Sequence, residues 1–103
     1  MKRTIDSLDW DSGNKDKCTK HGLTIEIIED FFRSNFKILF DPKHSNLEER
    51  YIAVGRSLSE RPMFVGFAFR YKNAKLLIRP ISARYMHEKE ATRYEKATSK
   101  IEK

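Results

Sequence analysis

The sequence of 103 residues is poor in the features that mark secreted, membrane-spanning and disulfide-bonded proteins. Its single cysteine, Cys18, cannot form an internal disulfide and has no second thiol with which to build a zinc cluster. No apolar run approaches the roughly 20 residues of a membrane span. The start, MKRTIDSLDWD, has no apolar stretch behind Lys2 and Arg3, so it does not read as a secretory signal. We therefore expect a soluble cytoplasmic protein that does not bind membranes.

Metal ligands are also scarce in this sequence. His21, His44 and His87 are scattered without the spacing of a ligand set. Cys18 has no identifiable base partner, so nucleophilic catalysis by its thiol is not expected. The sequence therefore predicts neither a metal site nor another cofactor.

Positive charge is present in excess and is unevenly distributed. The chain carries 21 Lys or Arg against 15 Asp or Glu, which gives a net charge of +6. Residues 43–84 alone hold nine Lys or Arg against three Asp or Glu, a surplus equal to that of the whole chain. Such a basic surface attracts polyanions, of which nucleic acid is the commonest in a cytoplasm. The alternative is a solvated surface that only keeps the protein soluble.

Two helical patterns precede the basic segment. DSGNKDKCTKHG predicts a short polar helix with Asp11 or Ser12 as its N-cap and Gly22 as its end. LTIEIIEDFF predicts a second helix, which begins at the capping residue Thr24. The apolar residues of this second helix share one face, which we expect in the core: Ile27, Ile28, Phe31 and Phe32.

Strand patterns follow. FKILFDP predicts a strand, and KHSNLE after it a loop. From Glu49 the apolar period changes to two, and RYIAVGRSL, MFVGFAFRY and AKLLIRPISAR predict three strands joined by turns at SERP and KNAK. Residues 49–84 thus predict an antiparallel meander. Pro80 removes a ladder donor, which makes part of the third strand an edge or a bulge.

A closing helix is predicted from about Met86, with a thin apolar stripe and a polar last turn that we expect to fray over residues 98–103. The stripe consists of Ala91, Tyr94, Ala97 and Ile101. The order of elements predicts one domain over residues 1–103 of the α+β class. Its N-terminal helices and its C-terminal helix pack on an antiparallel sheet.

Three stretches carry a family resemblance: WDSGNKDKCTKHGLT, DPKHSNLEERYIAVGRS and IRPISARYMHEKEATRYE. Their shared elements are KHG, D-x-x-H-S followed by E-E-R, a G-R pair in a strand, and I-S-A-R before a helix ending in Y-E. In this order they resemble the BrnT family of toxins of type II toxin–antitoxin systems. Pro80 before Ile81, and Cys18 near a position often held by asparagine, depart from the usual pattern and suggest a subgroup.

The resemblance implies a RelE/ParE-like fold and an endoribonuclease that inhibits translation. It also implies neutralisation by a BrnA-like ribbon-helix-helix antitoxin, with operator DNA bound only through the antitoxin complex. Given such an enzyme, the lack of ligand clusters points to metal-independent cleavage that leaves 2′,3′-cyclic phosphate ends. The rival interpretation is a binding module without catalysis, which uses the same basic sheet for nucleic acid or antitoxin.

Arginines are the residues we expect to bind the RNA phosphates. Guanidinium groups bind phosphate through two donors and stay charged at any working pH. Arg79 and Arg84 flank the point where the sheet meets the last helix, and a role with Arg56 in catalysis is predicted for both. Arg50 and Arg70 are predicted to bind RNA. Alternatively, some of these arginines pair with Glu48, Glu49 or Glu90 as structural residues.

Proton transfer requires a base for the ribose 2′-hydroxyl and an acid for the leaving 5′-oxygen. His44, which matches the family motif, and Glu49 are the catalytic candidates, and their roles as base or acid stay open. His87, at the start of the last helix, is a further candidate and is assigned to RNA binding. Tyr85 is predicted to stack on a base, or else to pack under the last helix.

Overall fold

The computed structural model describes residues 7–101, with side chains described for residues 7–96. The elements are β1 (Ser7–Leu8), α1 (Ser12–Cys18), α2 (Ile25–Arg33), β2 (Phe36–Phe40), β3 (Tyr51–Arg56), β4 (Pro62–Lys72), β5 (Lys75–Tyr85) and α3 (Glu88–Ile101), with a short 3-10 turn at Pro42–His44. The α+β class is confirmed. None of the helices within this described range has the length and apolar character of a membrane span.

The sheet has five strands in the order β1-β5-β4-β3-β2. Strands β2 to β5 are antiparallel neighbours, which confirms the predicted meander. Strand β1 adds a two-residue parallel edge to β5, so the sheet is mixed rather than purely antiparallel. Beyond β1, the Asn14 side chain of α1 donates to the Pro80 carbonyl at 2.8 Å, so α1 continues along the same edge of β5.

Both N-terminal helices begin where their caps predict. The Asp11 side chain accepts from the Asn14 N–H at 3.0 Å, and the Thr24 hydroxyl accepts from the Ile27 N–H at 3.1 Å. The predicted end of α1 at Gly22 is wrong, because the helix ends at Cys18. There the Thr19 hydroxyl and N–H both donate to the Lys15 carbonyl, at 2.8 and 3.2 Å.

The main core lies between α1, α2 and one face of the sheet, which we call the helix-covered face. Ile28 and Phe31 of α2 are buried against Ala53, Val65 and other inward residues of β3 to β5, while Ile27 and Phe32 pack at the margin. This confirms the predicted apolar face of α2. Since side chains alternate along a strand, the intervening residues point to the opposite face.

A second, smaller core lies on that opposite face, where α3 packs against the sheet. Val54, Met86 and Ala91 are buried there, and Ile52, Phe64 and Tyr94 pack around them. The predicted stripe is confirmed for Ala91 and Tyr94. Its remaining positions, 97 and 101, and the predicted fraying of residues 98–103 fall where side chains are not described. This whole face of the sheet, opposite α1 and α2, is called the open face below; beside the second core it includes Gly66, Ala68 and Ser82.

Strand β5 contains the bulge that Pro80 predicts. Phe67 pairs with Pro80 and Gly66 pairs with Ser82, so Ile81 is an extra residue without a partner on β4. An extra residue reverses the alternation of side chains along the strand. As a result, Arg79 and Arg84, which are five positions apart, both lie on the open face.

The close approach of α2 to the sheet generates a test at Gly55. A Cβ at this position would lie 3.0 Å from the Asn35 carbonyl oxygen and 3.0 Å from Cε1 of the Phe31 ring. We expect Gly55→Ala to lower the free energy of unfolding by about 1–3 kcal/mol, because the backbone and a buried ring must shift. Urea denaturation measures this change.

Gly66→Ala is the matched control for Gly55→Ala. Its Cβ would also meet an atom at 3.0 Å, but that atom is the Ser82 hydroxyl oxygen, which can rotate away. We expect this variant to change stability much less. Equal losses in the two variants would show that strand glycine itself, not the contact with α2, is responsible.

Candidate functional site

Five arginines of the meander lie on the open face, at different places along it. Arg84 pairs across the sheet with Phe64, and Arg79 pairs with Ala68, so both project on the side opposite α1 and α2. Arg56 alternates with Val54 on the same side. Arg70 and Arg50 share one carboxylate at the far end of this face. The open face is therefore the arginine-rich surface that the sequence predicts.

Arg84 lies where the sheet meets α3. Its two terminal amino groups donate to the two carboxylate oxygens of Glu90 at 2.9 and 2.8 Å, and its guanidinium carbon lies 4.6 Å from the centre of the Phe64 ring. These hydrogen bonds raise the pKa of Arg84 and lower the pKa of Glu90, so both groups are charged at neutral pH. Arg84 is thus oriented by a fork-like ion pair and an aromatic ring.

Arg56 reaches the same helix from the end of β3. It donates to both oxygens of Glu88 at 3.2 and 3.1 Å and to the Glu60 carbonyl at 3.0 Å, and its Nη2 lies 3.5 Å from Glu95. The hydrogen bond to Glu88 raises the pKa of Arg56 and lowers that of Glu88. We call this assembly the arginine junction; it consists of Arg56, Arg84, Glu88, Glu90 and Glu95.

A second ion-pair cluster lies at the other end of the open face. Glu48 accepts from Nε of Arg50 at 3.2 Å and from both amino groups of Arg70. The hydrogen bond from Arg70 is the main cause of the lowered pKa of Glu48, and Arg50 lowers it further. This is the structural pairing that the sequence leaves open as an alternative for Arg70.

Arg79 does not lie at the arginine junction, contrary to the prediction. It donates to Asp11 at 2.7 Å and lies 3.5 Å from Asp9, so it ties β5 to the segment that joins β1 and α1. Its partner Ala68 is four positions along β4 from Phe64, the partner of Arg84. Four residues of a strand span about 13 Å, which separates Arg79 from Arg84.

His44 and Glu49 are also remote from the junction. His44 lies at the surface with its Nδ1 2.8 Å from Asp41, and Glu49 accepts from the Tyr51 hydroxyl at 2.9 Å. Both flank the start of β3, whereas Arg56 is its last residue. Seven residues of extended chain from Glu49 to Arg56 correspond to about 23 Å. The structure therefore does not bring these two candidates to the arginine junction.

Tyr85 and His87 are adjacent in sequence but differ in position. Tyr85 pairs with Met63 on the helix-covered face, and the guanidinium carbon of Arg61 lies 3.5 Å from the centre of its ring. Its ring is therefore covered by Arg61, and it packs against the main core rather than under α3. His87 is exposed and immediately precedes α3. Its charge makes a minor contribution to the lowered pKa of Glu90.

The site also includes residues that the sequence analysis missed. A groove of about 710 Å³ runs beside the arginine junction, and its walls include Lys37, Val54, Arg56, Ala91, Tyr94 and Glu95. Tyr94 had been assigned only to the apolar stripe. Glu90 is one of the partners that the sequence leaves open for the arginines, and it pairs with Arg84. Glu88 and Glu95 are missed, although they follow the arginine-rich strand closely in sequence.

The donor groups near the site do not form a metal centre. Within residues 7–96, no three His, Cys, Asp or Glu side chains converge in a set that could hold a metal ion. Cys18 is fully buried, and burial raises the pKa of its thiol to about 11. The thiol is therefore neutral and enclosed, whereas the charged groups of the open face are guanidiniums and carboxylates.

Comparison with known protein families gives a match over residues 10–90 to a family described as "Ribonuclease toxin, BrnT, of type II toxin-antitoxin system". The matched region contains all the strands β2 to β5 and every arginine described above. A search of curated proteins finds no match.

The ion pair between Arg79 and Asp11 makes stability depend on pH. Hydrogen bonds from the Asn14 N–H and from Arg79 lower the pKa of Asp11 from its usual 3.8. A carboxylate whose pKa is lower in the folded state stabilises the fold at pH values above its pKa in the unfolded chain. This contribution is lost as the pH falls through its pKa in the folded state. We expect Arg79→Met to lower the melting temperature at pH 7, and the difference from wild type to shrink below about pH 4.

Thermal unfolding between pH 2 and pH 7 measures this dependence. Arg33→Met is the control, because it removes an equal charge from an exposed pair with Asp30 at 3.1 Å. We expect a smaller change for this variant. A difference between wild type and Arg79→Met that stays constant across the pH range would contradict the ion-pair contribution of Asp11.

Proposed function

The chain belongs to the BrnT family of ribonuclease toxins of type II toxin–antitoxin systems, and we propose that it cleaves RNA without a metal ion at the arginine junction. The observation that carries this proposal is the convergence of Arg56 and Arg84 on the carboxylates of α3 at one end of the open face, where Arg56 and Tyr94 also line one groove. A phosphate presents oxygen pairs much as a carboxylate does. The fork geometry seen with Glu88 and Glu90 therefore suits a phosphate as well.

The proposed reaction is attack by a ribose 2′-oxygen on the adjacent phosphorus. A bond forms between O2′ and phosphorus, the bond from phosphorus to O5′ breaks, and the 2′-hydroxyl proton leaves to a base while O5′ gains a proton from an acid. The products are a 2′,3′-cyclic phosphate and a 5′-hydroxyl. Arg56 and Arg84 would stabilise the negative charge that develops on the pentavalent phosphorane. Charged guanidiniums can do this at neutral pH without a metal.

His87 is the proton-transfer residue that its position favours. It is exposed at the start of α3, next in sequence to Glu88 and close to Glu90, whose pKa it helps to lower. An imidazole can accept or donate a proton near neutrality. His44 and Glu49 both precede β3, whereas Arg56 is its last residue, so we place them outside the chemical step. His44 remains available to contact flanking nucleotides.

Three further arginines of the open face would position the RNA strand. Arg50 immediately precedes β3, Arg70 lies on β4 and Arg79 on β5, on the same surface as Arg84. We propose that they bind phosphates that flank the scissile one. A stacking role for Tyr85 is not retained, because Arg61 lies over its ring on the other face of the sheet.

A type II system supplies a protein antitoxin as partner. We propose that this partner is a BrnA-like ribbon-helix-helix protein that acts in the cytoplasm and covers the open face. The net charge of +6 and the arginines of this face favour an acidic or amphipathic covering segment. In this arrangement operator DNA is bound through the antitoxin, and the toxin is inhibited because RNA and antitoxin compete for one surface.

The metal requirement tests the proposed chemistry. We expect purified protein to cleave single-stranded RNA in excess EDTA, because the charges on the phosphorane are neutralised by arginine. Product ends can be identified by mass spectrometry and by resistance to phosphatase, with 2′,3′-cyclic phosphate as the expected result. Activity that disappears with EDTA and returns with magnesium or manganese would contradict the mechanism.

Arg84→Ala tests the arginine junction. Loss of one donor aimed at a developing negative charge lowers kcat by about a hundredfold or more. RNA affinity should fall much less, because the other arginines still contact the phosphates. Cleavage rates at saturating RNA and equilibrium binding to RNA with a blocked 2′-hydroxyl measure the two effects. The variant should also fail to arrest bacterial growth when it is expressed without antitoxin, whereas wild type should arrest it.

Arg33→Ala serves as the charge-matched control for Arg84→Ala. Arg33 lies on α2, away from the open face, and its side chain is 71% exposed. The Arg33→Ala variant should retain wild-type cleavage and toxicity. If Arg84→Ala folds and loses binding and cleavage in equal proportion, the arginine only binds RNA, as expected for a non-catalytic module.

A further inference from the structure

The two arginines of the arginine junction already bind carboxylates of the same chain. Arg56 has two terminal amino groups, which carry four hydrogens. These amino groups meet four acceptor atoms: the Glu60 carbonyl, both oxygens of Glu88, and one oxygen of Glu95. A phosphate that binds Arg56 through both amino groups must therefore displace at least one carboxylate of α3.

The terminal amino groups of Arg84 are also occupied, in this case by one carboxylate. Both of its terminal amino groups donate to Glu90, in the arrangement that a phosphate would use. A carboxylate that only oriented these arginines for catalysis would leave the fork open toward the substrate. At both positions the fork is instead closed by an acidic side chain of α3.

Few apolar side chains of α3 pack on the sheet. Its apolar contacts form the second core, in which Ala91 and Tyr94 lie with Val54 and Phe64. Its polar contacts are the ion pairs of Glu88, Glu90 and Glu95 with the arginines of the junction. Just before the helix, Met86 is buried and its N–H donates to the Pro62 carbonyl at 2.9 Å. Only His87 separates this fixed residue from Glu88, the first residue of the helix. A movement of α3 therefore requires a change in the backbone at His87, whose carbonyl accepts from the Ala91 N–H at 3.0 Å.

We propose that α3 is an internal electrostatic latch, in which Glu88 and Glu90 occupy the phosphate-binding arginines and are displaced by the RNA backbone. This inference rests on the proposed function, because it takes Arg56 and Arg84 as phosphate ligands. The exchange is energetically possible because both pairs are partly solvated. The side chains of Arg56 and Glu88 are 32% and 71% exposed, and those of Arg84 and Glu90 are 41% and 25% exposed. RNA exchanges one set of anions for another, so the guanidiniums are never left without a counter-charge.

The double variant Glu88→Gln/Glu90→Gln tests the latch. Glutamine keeps the size and the carbonyl oxygen of each side chain but removes the competing charge. Binding is measured with a single-stranded 2′-O-methyl oligoribonucleotide, which cannot be cleaved because the attacking hydroxyl is blocked. We expect about three- to tenfold tighter binding than for wild type, in keeping with the modest strength of exposed ion pairs.

The salt dependence of binding supplies a readout that a purely structural role would not change. In wild type, an arginine that exchanges Glu for phosphate releases little net counter-charge. In the variant, each arginine contact should steepen the slope of log K against log salt by roughly 0.7, the value for single strands. The control is Asp16→Asn/Glu26→Gln, which makes the same change in net charge on exposed residues of α1 and α2. It should leave the slope unchanged.

Hydrogen exchange of wild-type protein gives a second measurement that does not depend on the folding of a variant. If α3 is released, amides of residues 88–96 should exchange faster when the oligonucleotide is bound. Unchanged or slower exchange across α3 would overturn the latch.

Arg84→Ala, assayed in parallel, separates the latch from the function on which it rests. If Arg84→Ala cleaves poorly but the double variant binds like wild type, the arginine site stands and the latch is wrong. If Arg84→Ala cleaves like wild type, the proposed site and the latch both fail. If the double variant binds as wild type does but has a reduced kcat, the carboxylates position the arginines instead, and the latch is again wrong.

Discussion

The alternation of side chains across three paired strands is the constraint on which the rest of this molecule depends. In β3, β4 and β5 one set of positions is apolar and is buried beneath α1 and α2, so the other set must face away from them. That second set includes the arginines. The two faces therefore differ: one supplies the main core, and the other carries the arginines and the small apolar patch on which α3 packs.

The bulge at Ile81 changes which residues share a face. In a regular strand, Arg79 and Tyr85 would project together and Arg84 would project to the opposite side. Because Ile81 has no partner on β4, Arg79 and Arg84 both reach the open face and Tyr85 turns to the core. A proline that removes one hydrogen-bond donor thus has a consequence for the site, since it accompanies the irregularity that gathers these arginines.

Local sequence signals predicted the fold well, and long-range pairing limited the prediction of the site. The capping residues Asp11 and Thr24, the apolar face of α2 and the period of two in the meander each act over a few residues. Ion pairs, in contrast, join residues that are distant in sequence: 32 positions separate Arg56 from Glu88, and 68 separate Arg79 from Asp11. The sequence could identify the arginines as important, but only the assembled sheet decides which carboxylate each one meets. The positions of His44 and Glu49, at the opposite end of β3 from Arg56, depend on the same assembly.

Two kinds of ion pair can be distinguished on the open face by what holds the carboxylate. Asp11 caps α1 and is fixed by the backbone N–H of Asn14, so its pair with Arg79 is part of the fold. Glu88 and Glu90 belong to a helix that joins the sheet through one residue and a small apolar patch. Arginines of like charge on one surface repel one another and need anions nearby. In the first case the helix cap fixes the anion, whereas in the second the anion sits on α3, which packs on the sheet through a small apolar patch. On that difference rests our proposal that the RNA backbone replaces Glu88 and Glu90 at the α3 end of the sheet.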